Sequence, residues 1–293
     1  MAVDYKALKN NGFMRQKQKD RFSMRLKVVG GHLTTDQLRT IADAADTYGK
    51  GIAHLTSRQG VEIPYVKLSD IEKIKEALAA GGVSPGVCGA AVRTVTACQG
   101  SKVCPSGCID TYKLAKSISE RYYGKVLPHK FKFGVTGCMN NCLKAEENDV
   151  GVKGGLLIEI DHKECTKCAL CVKVCREKAI SLVNKKIVLD RDKCNNCGRC
   201  VKACPTGAWV GTPGYMVYFG GTFGNKIAKG EKLIPILENT ADFFKAADAA
   251  IEFFIQNGKG GERLRAVIER TGWEPLEEAL GGEVKKKAKG SKG

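Results

Sequence analysis

Lys130-Phe131-Lys132-Phe133 runs directly into Gly134-Val135-Thr136-Gly137-Cys138-Met139-Asn140-Asn141-Cys142. Two lysines therefore lie a few residues upstream of a Cys-x3-Cys pair. Alternation of lysine with phenylalanine predicts a strand over 130–133 with both ammonium groups on one face. The turn at Thr136-Gly137 then delivers the two thiols, whose spacing of four sets them on one side of any helix that follows. A basic strand face beside two thiolates suggests an anion reduced next to a metal centre.

The remaining cysteines narrow the metal. The chain has 14 of them, and in a reducing compartment they read as ligands and not as disulfides. Cys165-x2-Cys168-x2-Cys171-x3-Cys175 is followed by Cys194-x2-Cys197-x2-Cys200-x3-Cys204-Pro205, the repeated spacing of a bacterial ferredoxin with two [4Fe–4S] clusters. In such runs the fourth cysteine ligates the other cluster. One cluster is thus expected on Cys165, Cys168, Cys171 and Cys204, and the other on Cys194, Cys197, Cys200 and Cys175. Three thiolates two residues apart fit three corners of a cubane but strain around tetrahedral zinc. Arg176 stands where the first run ordinarily has proline, which removes no ligand. A second set, Cys98-x5-Cys104 with Cys138-x3-Cys142, suits either zinc or a third cluster. Cys88 and Cys108 are left over, and packing is the common fate of such thiols.

Lys and Arg number 48 against 31 Asp and Glu, a net charge of +17. Neither a helix-turn-helix nor an RNA-binding aromatic motif accompanies that excess, which argues against nucleic acid as partner. A polyanionic cofactor, an anionic substrate and an acidic electron donor account for it instead. Lys163, Lys167, Lys173, Lys185, Lys186 and Lys202 in the cysteine-dense segment would suit such a donor. No apolar run approaches the roughly 18 residues of a membrane span, and the N-terminus lacks a signal-peptide core, so a cytoplasmic location is expected.

These residues need positioning elements. Residues 1–21 read as a polar arm, and Phe22–Val29 as a strand with Arg25 and Lys27 opposite Leu26 and Val28. Thr34-Thr35-Asp36-Gln37 opens a capped helix that Gly49 ends. Strands follow near 52–55 and 61–66, and Ser69 with Glu72 opens a second helix to Ala80. Beyond it come a short strand at 92–97, a helix near 109–122 and the opening strand. After the cysteine-dense insert, a strand resumes over 211–221, and helices are expected over 238–256, 262–271 and 274–280. The Gly- and Lys-rich tail from 281 reads as disordered.

Arg93-Thr94-Val95-Thr96-Ala97-Cys98-Gln99-Gly100 with the Cys-x5-Cys, and Val135-Thr136-Gly137-Cys138-Met139-Asn140-Asn141-Cys142, resemble the sirohaem-[4Fe–4S] sulfite and nitrite reductases. So do Arg25-Leu26-Lys27-Val28-Val29-Gly30-Gly31 and Leu55-Thr56-Ser57-Arg58-Gln59. The likeness covers about residues 22–158 and 215–275, with the ferredoxin inserted between, as in the small anaerobic or dissimilatory-type sulfite reductases. It implies an α+β fold in four parts. A ferredoxin-like half-repeat covers 1–85. An α/β sirohaem/cluster domain is made of 86–158 and 211–280, a two-cluster ferredoxin is inserted at 159–210, and a basic tail covers 281–293. Carried over by position, Cys98, Cys104, Cys138 and Cys142 hold a third [4Fe–4S] cluster, and Cys142 bridges it to the sirohaem iron. Arg25, Arg93, Lys130 and Lys132 would bind the anion. Arg58 would pair with sirohaem carboxylates, and His54 stands where many relatives carry a second arginine.

The implied reaction is the six-electron reduction of sulfite to sulfide. Nitrite reduction to ammonia is the nearest alternative, and a non-catalytic electron-transfer subunit is another. Single-chain relatives resemble two fused copies of the 22–158 unit, one supplying the anion-binding residues and one the cluster. The resemblance therefore implies a homodimer or higher oligomer, or a heteromer, in which the cage of one protomer faces the sirohaem held by Cys142 of the other.

Overall fold

Phe22, Met24 and Leu26 are fully buried while Ser23 and Arg25 between them are half-exposed, the period-2 signature of a strand with one face in a core. A computed structural model of the chain describes residues 3–288. In it β2 (Arg21–Arg25) is central to an antiparallel sheet of order β1–β2–β4–β3, with β1 at Phe13–Arg15, β3 at His54–Leu55 and β4 at Val61–Lys67. The expected arm is thus partly built into the fold. Helix α1 (Tyr5–Asn10), capped by Asp4, precedes β1, and β1 pairs with β2 from Phe13↔Met24 to Arg15↔Phe22. Phe13 is buried there, and that apolar anchor is why the segment does not lie loose.

Two helices cover the buried face. In α2 (Thr35–Tyr48) the Thr34 hydroxyl accepts from the Gln37 amide and the Gln37 side chain accepts from the Thr34 amide, the expected capping box. Helix α3 (Ile71–Ala80) lacks the expected Ser69 cap. A 3₁₀ turn over Leu68–Asp70 leads into it, and Ser69 Oγ bonds Asp70 instead. Tight i→i+3 bonds satisfy amides that a cap would otherwise take. Ile41, Ala44 and Ala45 of α2 and Ile71, Ile74 and Leu78 of α3 pack on Phe22, Met24 and Ile63. The opposite sheet face, carrying Arg25, is left for the second unit.

That unit is a sheet of order β10–β7–β6–β5: β5 (Thr96–Ala97), β6 (Phe133–Thr136) and β7 (Val150–Ile160) run parallel, and β10 (Trp209–Phe219) is antiparallel to β7. Helices α4 (Thr111–Tyr122), α7 (Thr240–Asn257), α8 (Leu264–Thr271) and α9 (Glu274–Ala288) enclose its core with Phe131, Phe133 and Phe219. Asp110 caps α4 and Asn239 caps α7 through their N3 amides. The strand expected over 92–97 shortens to Thr96–Ala97, with isolated bridges at Ala91 and Val92. Helix α9 runs through Ala288, into the stretch expected to lack structure. The remainder of that tail, 289–293, lies outside the described residues.

Strands β7 and β10 form an 11-residue stem between whose ends the cysteine-dense segment is inserted. It holds α5 (Leu170–Val174), a hairpin of β8 (Ile180–Val183) and β9 (Lys186–Leu189), and α6 (Arg199–Ala203). No helix among the described residues is long and apolar enough to cross a membrane.

Candidate active site

Phe131 is fully buried and bridged in parallel to Val92, so period-2 alternation turns its neighbours Lys130 and Lys132 the other way. They reach a cavity of about 260 Å³ whose wall also includes Arg25, Arg58, Arg93 and Thr94. All four residues expected to bind the anion therefore meet in one place, from β2, the segment before β5, and the approach to β6. A second cavity of about 490 Å³ is lined by Arg58, Lys132, Cys142, Lys144, Asn148 and Phe223, among others. The two share Ser57, Arg58 and Lys132.

One chain thus carries both the cage and Cys142 on adjoining cavities. The lysines and Cys142 flank the same short strand, β6, so the chain that positions one positions the other. His54 is exposed on β3 and lines neither cavity.

Arg25, Arg93 and the Lys132 backbone are held by partners that sequence reasoning missed. Arg25 donates from Nε and Nη2 to Glu62 Oε1 at 2.8 and 2.6 Å, and from Nη1 to Cys88 Sγ at 3.2 Å. Burial works to lower the Arg25 pKa, but the Glu62 carboxylate and Cys88 outweigh it and the net direction is up. Cys88, expected only to pack, is 3% exposed and lies against a cage guanidinium. Arg93 donates to the carbonyls of Val87 (3.1 Å) and Gly89 (2.9 Å), while its Nε is buried without a hydrogen-bond partner. A buried orphan donor beside the cavity is a group an entering oxyanion would satisfy.

Lys132 is tied from below. Asp149, wholly buried, accepts from the Lys132 amide at 2.9 Å and from Arg263 Nη2 at 2.7 Å. Burial pushes the Asp149 carboxyl above its ordinary range, against the pull of Arg263. Burial, then the charges of Arg58 and Arg263, bring Lys132 down to about 8. Lys130 is lowered by burial and by Arg263 and Arg93. Arg58 bonds Asn148 Oδ1 (3.0 Å) and the Thr94 carbonyl (3.2 Å), and burial among other guanidiniums brings it to about 10. Asp149, Arg263 and Asn148 carry no local motif. Only their convergence in space marks them.

The second cysteine set is assembled by parallel pairing. Thr96↔Gly134 and Ala97↔Val135 align β5 with β6, so the loops after both strands leave at the same sheet end. Gly100 and Gly137 let those loops touch. A Cβ on Gly137 would meet Gly100 Cα at 3.0 Å, and Gly100 has φ +62°. The Gly137 amide donates to Cys98 Sγ at 3.1 Å. Cys138 lies within electrostatic reach of Cys104, Cys142 and Cys98, and burial pushes its thiol pKa up. Cys138 and Cys142 sit in a turn and not on the helix that their spacing suggested. Asn141 and Lys144 adopt positive φ there, and only a 3₁₀ turn over Ala145–Glu147 follows. Asn141 Oδ1 accepts the Ala145 amide at 2.8 Å and holds that turn.

The two four-cysteine runs fold as near copies. Lys167 and Ala169 in the first, and Asn196 and Gly198 in the second, share left-handed φ before a five-residue helix. Cys175, Cys194, Cys197 and Cys200 wall one small apolar cavity with Ile158 and Ile180. Burial pushes the Cys200 thiol up to about 12. Among the described residues no three His, Cys, Asp or Glu side chains gather as ligands of a single ion.

The nitrite and sulphite reductase 4Fe-4S domain matches residues 88–288, and the nitrite/sulfite reductase ferredoxin-like half domain matches 14–81. The chain belongs to the nitrite and sulfite reductase family, and its fold is the mixed α+β fold of that family. It is 32% identical over 246 residues to the coenzyme F420-dependent sulfite reductase of Methanocaldococcus jannaschii, a match covering 83% of this chain and 39% of that protein. Over 255 residues it is 31% identical to a component chain of the anaerobic sulfite reductase of Salmonella typhimurium, covering 80% of this chain and 75% of that one. The crystal structure of dissimilatory sulfite reductase I shares the fold with a TM-score of 0.73 at 21% identity, over 89% of this chain and 69% of that one.

Arg93→Lys tests the cage directly. A lysine cannot reproduce a planar fork tied to two carbonyls, so oxyanion affinity is expected to fall about tenfold, roughly 1.5 kcal/mol. Titration of the visible spectrum with sulfite reads the change.

Proposed function

We propose that the chain reduces sulfite to sulfide at a sirohaem coupled to a [4Fe–4S] cluster on Cys98, Cys104, Cys138 and Cys142. Two further clusters on the inserted ferredoxin runs would feed it. The observation that carries this reading is the meeting of Arg25, Arg93, Lys130 and Lys132 in a cavity that adjoins the one bordered by Cys142. The residues present fit the cofactors. The four donors of the second set are all thiols and accept a backbone amide at Cys98. The Cys142 cavity lies within the size range of ligand sites and offers Arg58, Lys132 and Lys144 to an acidic macrocycle.

Sirohaem, when bound, supplies the iron that takes the anion and the electrons. The chain's own residues supply the rest. Four cations offset the desolvation of a dianion and orient its oxygens. Each oxygen leaves as water, consuming two protons and two electrons. Lys132, titrating near 8, can give and regain a proton at the mouth of both cavities. Nitrite carries less charge than sulfite, and a cage this basic favours the dianion. A purely electron-carrying subunit would have no need of the cage.

The working assembly joins this chain to an electron donor, and a cytoplasmic setting suits its reduced thiols. Of the insert lysines offered to an acidic donor, Lys202 is exposed but bonds the Pro105 carbonyl. The others remain for docking.

An anaerobic visible spectrum of the cofactor-loaded protein, followed by turnover of sulfite and nitrite with a reduced dye, tests the proposal. A sirohaem band perturbed by sulfite, with sulfide formed faster than ammonia, is expected. Faster ammonia formation would move the substrate to nitrite. Iron–sulfur absorption without sirohaem would leave an electron carrier.

A further inference from the structure

The insert has two cysteine runs, and they are not equivalent towards the body of the protein. The Leu156 amide of β7 donates to the Asn196 carbonyl at 2.8 Å, and Asn196 Nδ2 donates back to the Leu156 carbonyl at 3.0 Å. Lys202 Nζ donates to the Pro105 carbonyl, one residue beyond Cys104. Both insert residues belong to the second run. Cys168, in the first, is exposed.

A cavity of about 200 Å³ lies where the second run meets the body. Its wall includes Cys138 and Met139 from one side and Cys197, Arg199 and Lys202 from the other. Arg176 and Glu177, directly after Cys175, complete it. Cys175 is the residue expected to share a cluster with Cys194, Cys197 and Cys200, and Cys197 is the insert ligand that lines this cavity. Cys108, a thiol outside all three ligand sets, is 8% exposed and lies within electrostatic reach of both Cys138 and Cys197. Its amide bonds the Gly137 carbonyl beside Cys138. It belongs to an apolar cluster with Leu156, Ile158 and Trp209 that also takes in Cys171 of the first run and Cys200 of the second.

We infer that electrons leave the insert through the Cys175/Cys194/Cys197/Cys200 cluster and cross the Cys197–Cys138 junction that Cys108 packs. The Cys165/Cys168/Cys171/Cys204 cluster is then the outer one, which a low-potential one-electron donor reduces first. This rests on the proposed assignment of the three clusters. In each transfer the inner cluster loses one electron and the cubane on Cys98, Cys104, Cys138 and Cys142 gains it, with no bond made or broken.

The test is magnetic and does not depend on turnover. In the full-length, cofactor-loaded chain, Cys168→Ser removes a ligand of the outer cluster and Cys197→Ser one of the inner. Electron paramagnetic resonance of the reduced proteins reads how fast the remaining ferredoxin signal relaxes. In Cys168→Ser that signal is expected to stay broadened and fast-relaxing through its neighbour, the sirohaem-coupled cubane. In Cys197→Ser it is expected to become narrow and slow. The reverse pattern would overturn the order.

Should either ligand change empty both clusters, a matched pair that keeps all ligands decides. Asn196→Ala removes the bond to Leu156, while Lys167→Ala alters the corresponding left-handed position of the first run. Loss of coupling in the first only supports the inference, and equal effects refute it. The unsubstituted protein separates the two levels of failure. Absent iron–sulfur signals there would sink the cluster reading itself, whereas normal signals with reversed order would sink only this inference.

Discussion

Lys132→Met is expected to lower sulfite turnover by about 10²–10⁴, the usual worth of a positioned proton donor. It also removes one cation from the anion cavity, so affinity for sulfite falls with the rate. The pH profile distinguishes the two losses. Burial and the Arg58 and Arg263 charges bring the Lys132 pKa from 10.5 to about 8, so the folded protein loses this proton as pH rises through 8. The cage is complete below that value and one charge short above it, and kcat/KM should decline on the alkaline side with a midpoint near 8. Bound sulfite favours the ammonium form, and the corresponding limb of kcat should lie higher. Lys132→Arg keeps its charge at every relevant pH. That variant should retain binding, lose the alkaline limb of kcat/KM and remain slow, because guanidinium does not release a proton. An unchanged alkaline limb in Lys132→Arg would show that another group titrates there.

Asp149→Ala is expected to be the most destabilising single change near the site. Its carboxylate is wholly buried and holds both Arg263 and the Lys132 amide. Removing one partner of such a pair strands a buried cation, which costs about 3–5 kcal/mol. Denaturant unfolding of the loaded protein measures it, and Asp149→Asn, which keeps an acceptor for the amide, should lose less. Turnover of the folded fraction should fall too, since the Lys132 backbone loses its anchor. A wild-type midpoint for Asp149→Ala would mean that neighbouring groups or water replace the carboxylate without loss.

Much of the site was legible in one dimension because its chemistry is local. The ferredoxin-like runs are read from ligand spacing alone, since a cluster demands thiols at fixed short intervals. Lys130 and Lys132 are read from alternation, and burial of Phe131 between them is the cause of their shared face. The Thr34 capping box is equally local, and it formed. Where local rules competed, they failed in specific ways. The Ser69 cap gave way to a 3₁₀ turn, and the Cys138–Cys142 spacing of four suggested a helix that the left-handed Asn141 and Lys144 prevent.

By itself, then, the sequence determined the family and the shared side of Lys130 and Lys132, although the strand itself begins only at Phe133, and it offered the cysteine runs as candidate ligands, because each depends on residue types within a few positions of one another. Only the tertiary structure decided which groups support them. Glu62 on Arg25, Asp149 and Arg263 beneath Lys132, and Asn148 on Arg58 are brought together by strand pairing and burial across long separations in the chain. It also decided that one chain lines both cavities and that the second cysteine run faces the body. Both follow from β5, β6 and β7 aligning in parallel and from the β7–β10 stem, long-range pairings on which residue spacing carries no information.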